Sequence, residues 1–321
     1  MGYSVYVTRE IPRVGIDRLA EVCEVVDVNP YGRILTRAEL LDAIRGRDGL
    51  LVLLTDRIDR EVMAAARGIK GIANYAVGYD NIDVKAAAEL GIPVTNTPGV
   101  LTDATADMAW ALLMSTARRV VESDAYVRAG KFKSWEPMLF LGADVTGRTL
   151  GIVGAGRIGT AVARRAKGFD MRILYTDAQA NPAVENELGA QRVDLDTLLR
   201  EADFVSLHVP LMPETRHLIG GEQLAIMKPS AILINTSRGP VIDEAALAVA
   251  LHEGTIAGAG LDVYENEPEV HPDLLTCTNA VLVPHIGSAT IETRNKMAMM
   301  AAENLIAMLR GETPPNLVMQ C

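Results

Sequence analysis

Basic side chains are in deficit in this chain of 321 residues: 31 Lys and Arg stand against 41 Asp and Glu, a formal charge of −10. Neither a nucleic acid nor an anionic membrane is expected as a partner, because phosphate surfaces are gripped mainly by clustered Lys and Arg. Cysteine is scarcer still. Cys23, Cys277 and Cys321 lie far apart, with no C-x-x-C pair and no even-numbered framework, which argues against a disulfide-stapled secreted scaffold and suits a reducing cytoplasm. No metal site is expected. No apolar run approaches the roughly 18 residues of a membrane span, the nearest being Met108 to Met114. The opening stretch MGYSVYVTREIPRVG has charges among its apolar residues, so it reads as a first strand and not as a targeting peptide. Aromatics are few, with four Phe and two Trp, yet Phe132, Trp135 and Phe140 fall within nine residues.

What is present is alternation. Short aliphatic and β-branched runs trade places with helical stretches, the pattern of parallel sheets covered by crossover helices. Strands are expected at Ser4–Thr8, Val22–Val28, Leu50–Leu54, Ile72–Asn74 and Pro93–Asn96. A second series is expected at Thr149–Val153, Arg172–Tyr175, Phe204–His208, Ala231–Asn235, Ala257–Asp262 and Val281–Val283. The length suits two domains, and the two series imply two α/β sheets. Between them the pattern predicts one long helix from about Ala104 to Ala129, capped by Thr102 and Asp103 and stopped by Gly130. A last helix over Ile291–Arg310 is too short a tail to stand alone, so it is expected to pack back onto the amino-terminal domain and make that domain discontinuous.

The sharpest local signal is TLGIVGAGRIGTAVARRAKGFDMRILYTD, an apolar strand running through Gly154-Ala155-Gly156-Arg157-Ile158-Gly159 into a helix. Gly154 allows a tight turn, Gly156 lets backbone amides approach a pyrophosphate, and Gly159 permits close helix–strand packing, with the helix amino terminus adding partial positive charge. Asp177, 18 residues after Gly159, ends the next strand, where a carboxylate accepts hydrogen bonds from ribose hydroxyls and repels a 2′-phosphate. NAD is therefore the expected cofactor; a solvated strand-end Asp is the bland alternative. Three further strand ends carry charge: INTSRGPVID with Arg238, AGAGLDVYENEP with Asp262 and Glu267, and VLVPHIGSAT with His285. Doubly wound folds place ligands at these carboxyl ends. A domain salt bridge for Arg238, an exposed turn acid at Glu267 and a satisfied core histidine at His285 remain open on residue type alone.

The segments NYAVGYDNID, GIPVTNTPG, GAGRIG, HVPLMPETRHLI, INTSRGPVID, GLDVYENEP and PHIGSAT together resemble the D-2-hydroxyacid dehydrogenase family over essentially the whole chain. SWEP at 134–137 resembles its glyoxylate/hydroxypyruvate reductase branch. The resemblance implies two doubly wound α/β domains, a Rossmann NAD-binding domain at 99–287 inserted into a flavodoxin-like substrate domain of 1–98 plus 288–321. It implies a homodimer joined through the inserted domain. It also implies NAD(H)-dependent reduction of a short 2-oxo acid to the D-2-hydroxy acid, with Arg238, Glu267 and His285 catalytic. The planar fork of an Arg suits a carboxylate beside a carbonyl, and a protonated His285 steadied by Glu267 suits proton donation to the carbonyl oxygen. For the cofactor the same resemblance adds His208, Pro210, Thr215, Thr236, Asp262 and Thr105. For the substrate it adds Leu53 with Leu54 as an apolar wall, the amides of Val77 and Gly78 as an anion nest, and Trp135 reaching in from a neighbouring subunit. Phosphoglycerate and phosphite dehydrogenases are rival activities within the family, and a non-catalytic NAD-sensing corepressor is the rival of another class.

Overall fold

The computed structural model describes residues 2–318; Cys321 lies outside the described residues. Its contacts divide the chain into two compact units, 1–101 with 288–321, and 102–287. The first junction therefore falls three residues beyond the one the resemblance implies.

The first unit alternates β1 (Tyr3–Val7), α1 (Arg13–Ala20), β2 (Cys23–Val28), α2 (Arg37–Ala43), β3 (Gly49–Val52), α3 (Arg60–Ala65), β4 (Gly71–Asn74), α4 (Val84–Glu89) and β5 (Val94–Thr95). Its five strands are all parallel in the order β2-β1-β3-β4-β5, with the order reversing between β1 and β3. Central strands β3 and β4 are buried throughout, whereas in edge strand β2 only Cys23 is buried; a strand covered on both faces reads as a continuous apolar run. Polar N-caps start the helices. Thr36 and Glu39 form a reciprocal capping box, and Asp59 and Asp83 accept from first-turn amides, each cap worth about 1 kcal/mol.

The second unit opens with α5 (Thr102–Ala117) and α6 (Val120–Arg128), then runs β6 (Thr149–Val153), α7 (Arg157–Ala166), β7 (Arg172–Thr176), α8 (Pro182–Leu188), β8 (Gln191–Arg192), α9 (Leu195–Glu201), β9 (Phe204–Leu207), α10 (Gly221–Ile226), β10 (Ile232–Asn235), α11 (Glu244–Glu253), β11 (Gly258–Leu261) and β12 (Ala280–Leu282). The sheet order is β12-β11-β10-β9-β6-β7-β8, again all parallel. This doubly wound order turns back between β6 and β9, the point where such sheets bind ligands. α12 (Ile291–Leu309), capped by Thr290, returns to the first unit. It packs on α1 so closely that a Cβ on Gly15 would lie 2.8 Å from the Ala298 carbonyl.

Two expectations are corrected. The single helix from Ala104 to Ala129 is two helices, and Thr102 and Asp103 lie inside the first rather than capping it. Arg119 breaks it with a left-handed backbone at φ 52°. The Ala117 carbonyl, which a continuing helix would use, instead accepts from Ala143 N–H at 2.8 Å. Only a glycine permits that approach, because a Cβ on Gly142 would lie 2.3 Å from the same oxygen. Arg119 then bonds Glu122 at 2.6 Å and lies over the Phe140 ring. The other miss is β8, two exposed residues on the sheet edge whose length and polarity leave no period to read.

Candidate active site

The glycine motif sits at the reversal between β6 and β9. Gly154 has φ 96°, and a Cβ there would lie 2.8 Å from the carbonyl carbon of His208 at the end of β9, so the two strand ends meet only because Gly154 has no side chain. A Cβ on Gly159 would strike the Gly154 carbonyl at 2.0 Å, while one on Gly156 would meet nothing within 4 Å. Gly156 is the N-cap of α7, whose leading amides, at Arg157 and Ile158, have no intrahelical acceptor by construction. A pyrophosphate fits this cradle of backbone donors. Asp177, just past β7, accepts from Ala155 N–H at 2.8 Å and from Gln179 N–H at 3.2 Å, which fixes its carboxylate against the turn.

Two buried polar atoms at neighbouring strand ends have no partner among the described residues: His208 Nδ1 after β9 and Thr236 Oγ1 after β10. Orphaned buried polar groups are costly, so both fit a site completed by a polar ligand. The other nitrogen of His208 lies 2.8 Å from Ser206 Oγ. Burial drives the imidazole pKa down to about 3, so the ring is neutral. Thr215 closes a local turn instead, donating to the Pro210 carbonyl at 2.7 Å.

The charged residues converge. His285 Nδ1 lies 2.8 Å from Glu267 Oε2, each side chain about a quarter exposed. Glu267 Oε1 accepts from Tyr264 N–H at 3.1 Å. Burial raises the Glu267 carboxyl, but the His285 bond and charge, the Tyr264 amide and the charge of Arg238 outweigh it and hold the group below its ordinary range. Arg238 is thus in electrostatic reach, and its Nη1 donates to the Ser237 carbonyl at 2.8 Å. The two loops meet through Gly239, where a Cβ would overlap the Tyr264 carbonyl carbon. Asp262, 1% exposed, accepts from Ile286 N–H at 2.6 Å and Gly287 N–H at 2.7 Å. Burial raises its carboxyl despite those bonds. His285 itself has φ 52°, a left-handed geometry that non-glycine residues keep only where surrounding contacts impose it; the Glu267 bond and the Asp262 grip on the next two amides do so.

The family model for D-isomer specific 2-hydroxyacid dehydrogenases, NAD binding domain, matches residues 110–287. The chain belongs to the D-2-hydroxyacid dehydrogenase family. It is similar to a glyoxylate reductase of Korarchaeum cryptofilum, 59% identical over 98% of this chain and 96% of the relative. Among solved structures it is similar to a glyoxylate reductase from Paecilomyes thermophila, with TM-score 0.88 and 36% identity over 99% of this chain and 98% of that one. It is also similar to an NADPH-dependent glyoxylate/hydroxypyruvate reductase from Sinorhizobium meliloti, bound to NADP and malonate, with TM-score 0.86 and 33% identity over 99% and 97% of the two chains.

Several residues of this dehydrogenase site carry no sequence signal of their own. Arg192, on the short strand β8, donates through Nη2 to the carbonyls of Asp177 at 2.9 Å and Ala178 at 3.1 Å, bringing a cation beside the carboxylate expected to choose the cofactor. Glu244, at the start of α11 and 4% exposed, accepts from Glu265 N–H at 2.6 Å and His271 N–H at 3.3 Å, pinning both ends of the loop that carries Glu267. Thr105 is 5% exposed on α5 and lies beside Gly287. Leu53, Val77 and Gly78 belong to the first unit, Leu53 just beyond β3 and the other two in the turn after β4, all half-buried. Trp135 stands 80% exposed, and Phe140 packs edge-on against Tyr126, so the aromatic trio is not one cluster within the chain.

Proposed function

We propose that the protein reduces glyoxylate, or a comparably short 2-oxo acid such as hydroxypyruvate, to the corresponding D-2-hydroxy acid with NADH. The observation that carries the reading is the His285–Glu267 pair with Arg238 beside it at the carboxyl ends of β10 to β12, next to a glycine cradle of dinucleotide type. When bound, the reduced nicotinamide supplies a hydride to the carbonyl carbon. His285 holds through Nε2, the ring nitrogen Glu267 does not use, the proton that passes to the carbonyl oxygen. Glu267 fixes the ring through Nδ1 and so aims Nε2 at the substrate. Arg238 takes the substrate carboxylate with its planar fork and polarises the carbonyl. Asp262 holds the Ile286 and Gly287 amides and orients the carboxamide. Within the first unit, the resemblance assigns the Val77 and Gly78 amides to a carboxylate, as an anion nest, with Leu53 as an apolar wall.

The preference for NADH rests on the Asp177 carboxylate. Arg192 works against it, so NADPH is expected to be a poorer cofactor rather than an excluded one. A homodimer is part of the proposal: α6 has no buried residue, and Val120, Val121, Val127, Phe132, Trp135 and Met138 are each more than half exposed. Large apolar side chains left in water along one segment favour an association surface, and Trp135 would then complete the partner's pocket. The buried free thiols of Cys23 and Cys277 favour a cytoplasmic setting. Purified protein should consume NADH when given glyoxylate and yield D-glycerate from hydroxypyruvate. Cofactor binding with no turnover across a panel of 2-oxo acids would favour an NAD-sensing binding module instead.

A further inference from the structure

In the first unit three successive carbonyls are captured from behind. The Ala76 oxygen accepts from Thr97 N–H at 2.9 Å, the Val77 oxygen from Asn96 Nδ2 at 2.7 Å, and the Gly78 oxygen from Asn74 Nδ2 at 2.8 Å. A trans peptide is planar, with its N–H opposite its C=O, so fixing the carbonyls of Ala76 and Val77 fixes the amides of Val77 and Gly78 on the other side. Those two amides donate to no other described residue, and both residues are half-buried rather than covered.

The capturing side chains are themselves held. Asn74, wholly buried after β4, exchanges amide bonds with Asn81 at 3.3 and 3.4 Å, and Asn81 also donates to the Leu53 carbonyl at 3.0 Å. Asn96, following β5, is gripped through its own main chain: Asn304 Nδ2 on α12, 1% exposed, donates to the Asn96 carbonyl at 3.0 Å, and Asn304 Oδ1 accepts from Asn316 N–H at 3.3 Å. Asn96 N–H in turn donates to the Asn316 carbonyl at 3.3 Å. Buried amides cost free energy unless satisfied; here Asn74 and Asn96 each spend a donor on a carbonyl of one turn, and Asn81 and Asn304 hold those two residues in place.

We propose that Asn96 and Asn74 are positioning residues for anion binding: Asn96 holds the Val77 carbonyl and with it the plane of the Gly78 amide, while Asn74 pins the Gly78 carbonyl and so the far end of the turn, leaving the Val77 and Gly78 amides to face a substrate carboxylate as a preformed nest. This rests on the reading that the turn takes the carboxylate. Neither side chain touches substrate. Their contribution is uniform binding, which appears in KM rather than kcat.

The test uses the full-length protein, saturating NADH, and oxamate as a carboxylate-bearing, unreactive analogue of the 2-oxo acid. Protein labelled with 15N at Val and Gly should show shifts of the Val77 and Gly78 amide resonances as oxamate is added. Asn96→Ala, and Asn96→Leu as a nearly isosteric second variant, should raise the glyoxylate KM and the oxamate inhibition constant about tenfold. They should leave kcat and the NADH KM within about twofold and abolish the two shifts. A purely structural role would instead lower the melting midpoint and disturb both KM values together, overturning the proposal. Shifts in the parent protein with unchanged KM in folded variants would overturn the positioning role while the carboxylate reading stands. No shift in the parent protein would remove that reading and the proposal with it.

Discussion

His208 gives the structure a stability signature that can be worked out in advance. Its imidazole is buried, so its folded pKa lies near 3, against about 6.5 in an unfolded chain. A histidine depressed in this way contributes fully above the unfolded pKa, and the contribution is lost as pH falls, because the unfolded chain takes up a proton that the native site refuses. Between about pH 7.5 and about pH 5 the difference in proton uptake amounts to about 2 kcal/mol. Other groups titrate in the same window, so the comparison must be with His208→Gln, in which this contribution is absent. Denaturant unfolding of both proteins at the two pH values should show the parent losing about 2 kcal/mol relative to the variant on acidification. The His208 ring resonance should not titrate across that range. A parent–variant difference independent of pH, or a ring titrating near 6, would refute the assignment of a neutral, desolvated His208 at the β6–β9 crossing.

The remaining expectations concern the site directly. Because Arg238 must present a bidentate fork, Arg238→Lys should raise the glyoxylate KM by at least about tenfold in steady-state assays; an unchanged KM removes the role. Asp177→Ala should narrow the ratio of NADH to NADPH efficiency, measured as kcat/KM for each, and an unaltered ratio would transfer the choice of cofactor elsewhere. Gly154→Ala forces a Cβ into the His208 carbonyl at a left-handed φ, so NADH affinity measured by fluorescence should fall by about two orders of magnitude or the fold should be lost; wild-type affinity would contradict the geometry at the crossing.

The parts of this molecule legible in its sequence are those where one residue type answers one physical demand. Apolar runs such as ILIN and FVSL mark strands buried on both faces, and the glycines at 154 and 159 announce close backbone approach before any coordinates exist. The roles of Arg238, Glu267 and His285 are carried by the family resemblance of their motifs, while the strand ends alone point only to their location; the structure brings the three segments together, with Gly239 locking one loop on another and Asp262 gripping the amides after His285. Other features depend on partners far away in the chain. The break at Arg119 is set by Gly142 and Ala143 competing for the Ala117 carbonyl, which local helical periodicity cannot register. Arg192 reaches the cofactor region from a two-residue edge strand with no period of its own. Asn74 and Asn96 look like ordinary polar residues at strand ends until their amides are seen on two adjacent carbonyls of one turn. Trp135 is a case of its own, since its proposed role needs a second subunit.

The central claim is that His285, held by Glu267, gives the proton when a 2-oxo acid is reduced. Its most direct test is NADH consumption with glyoxylate by the parent protein and by His285→Asn, with NADH affinity measured on both. The account predicts rapid consumption by the parent, a loss of turnover of about 10²–10⁴ in the variant, and NADH affinity retained. A variant that turns over glyoxylate at the parent's rate would contradict it.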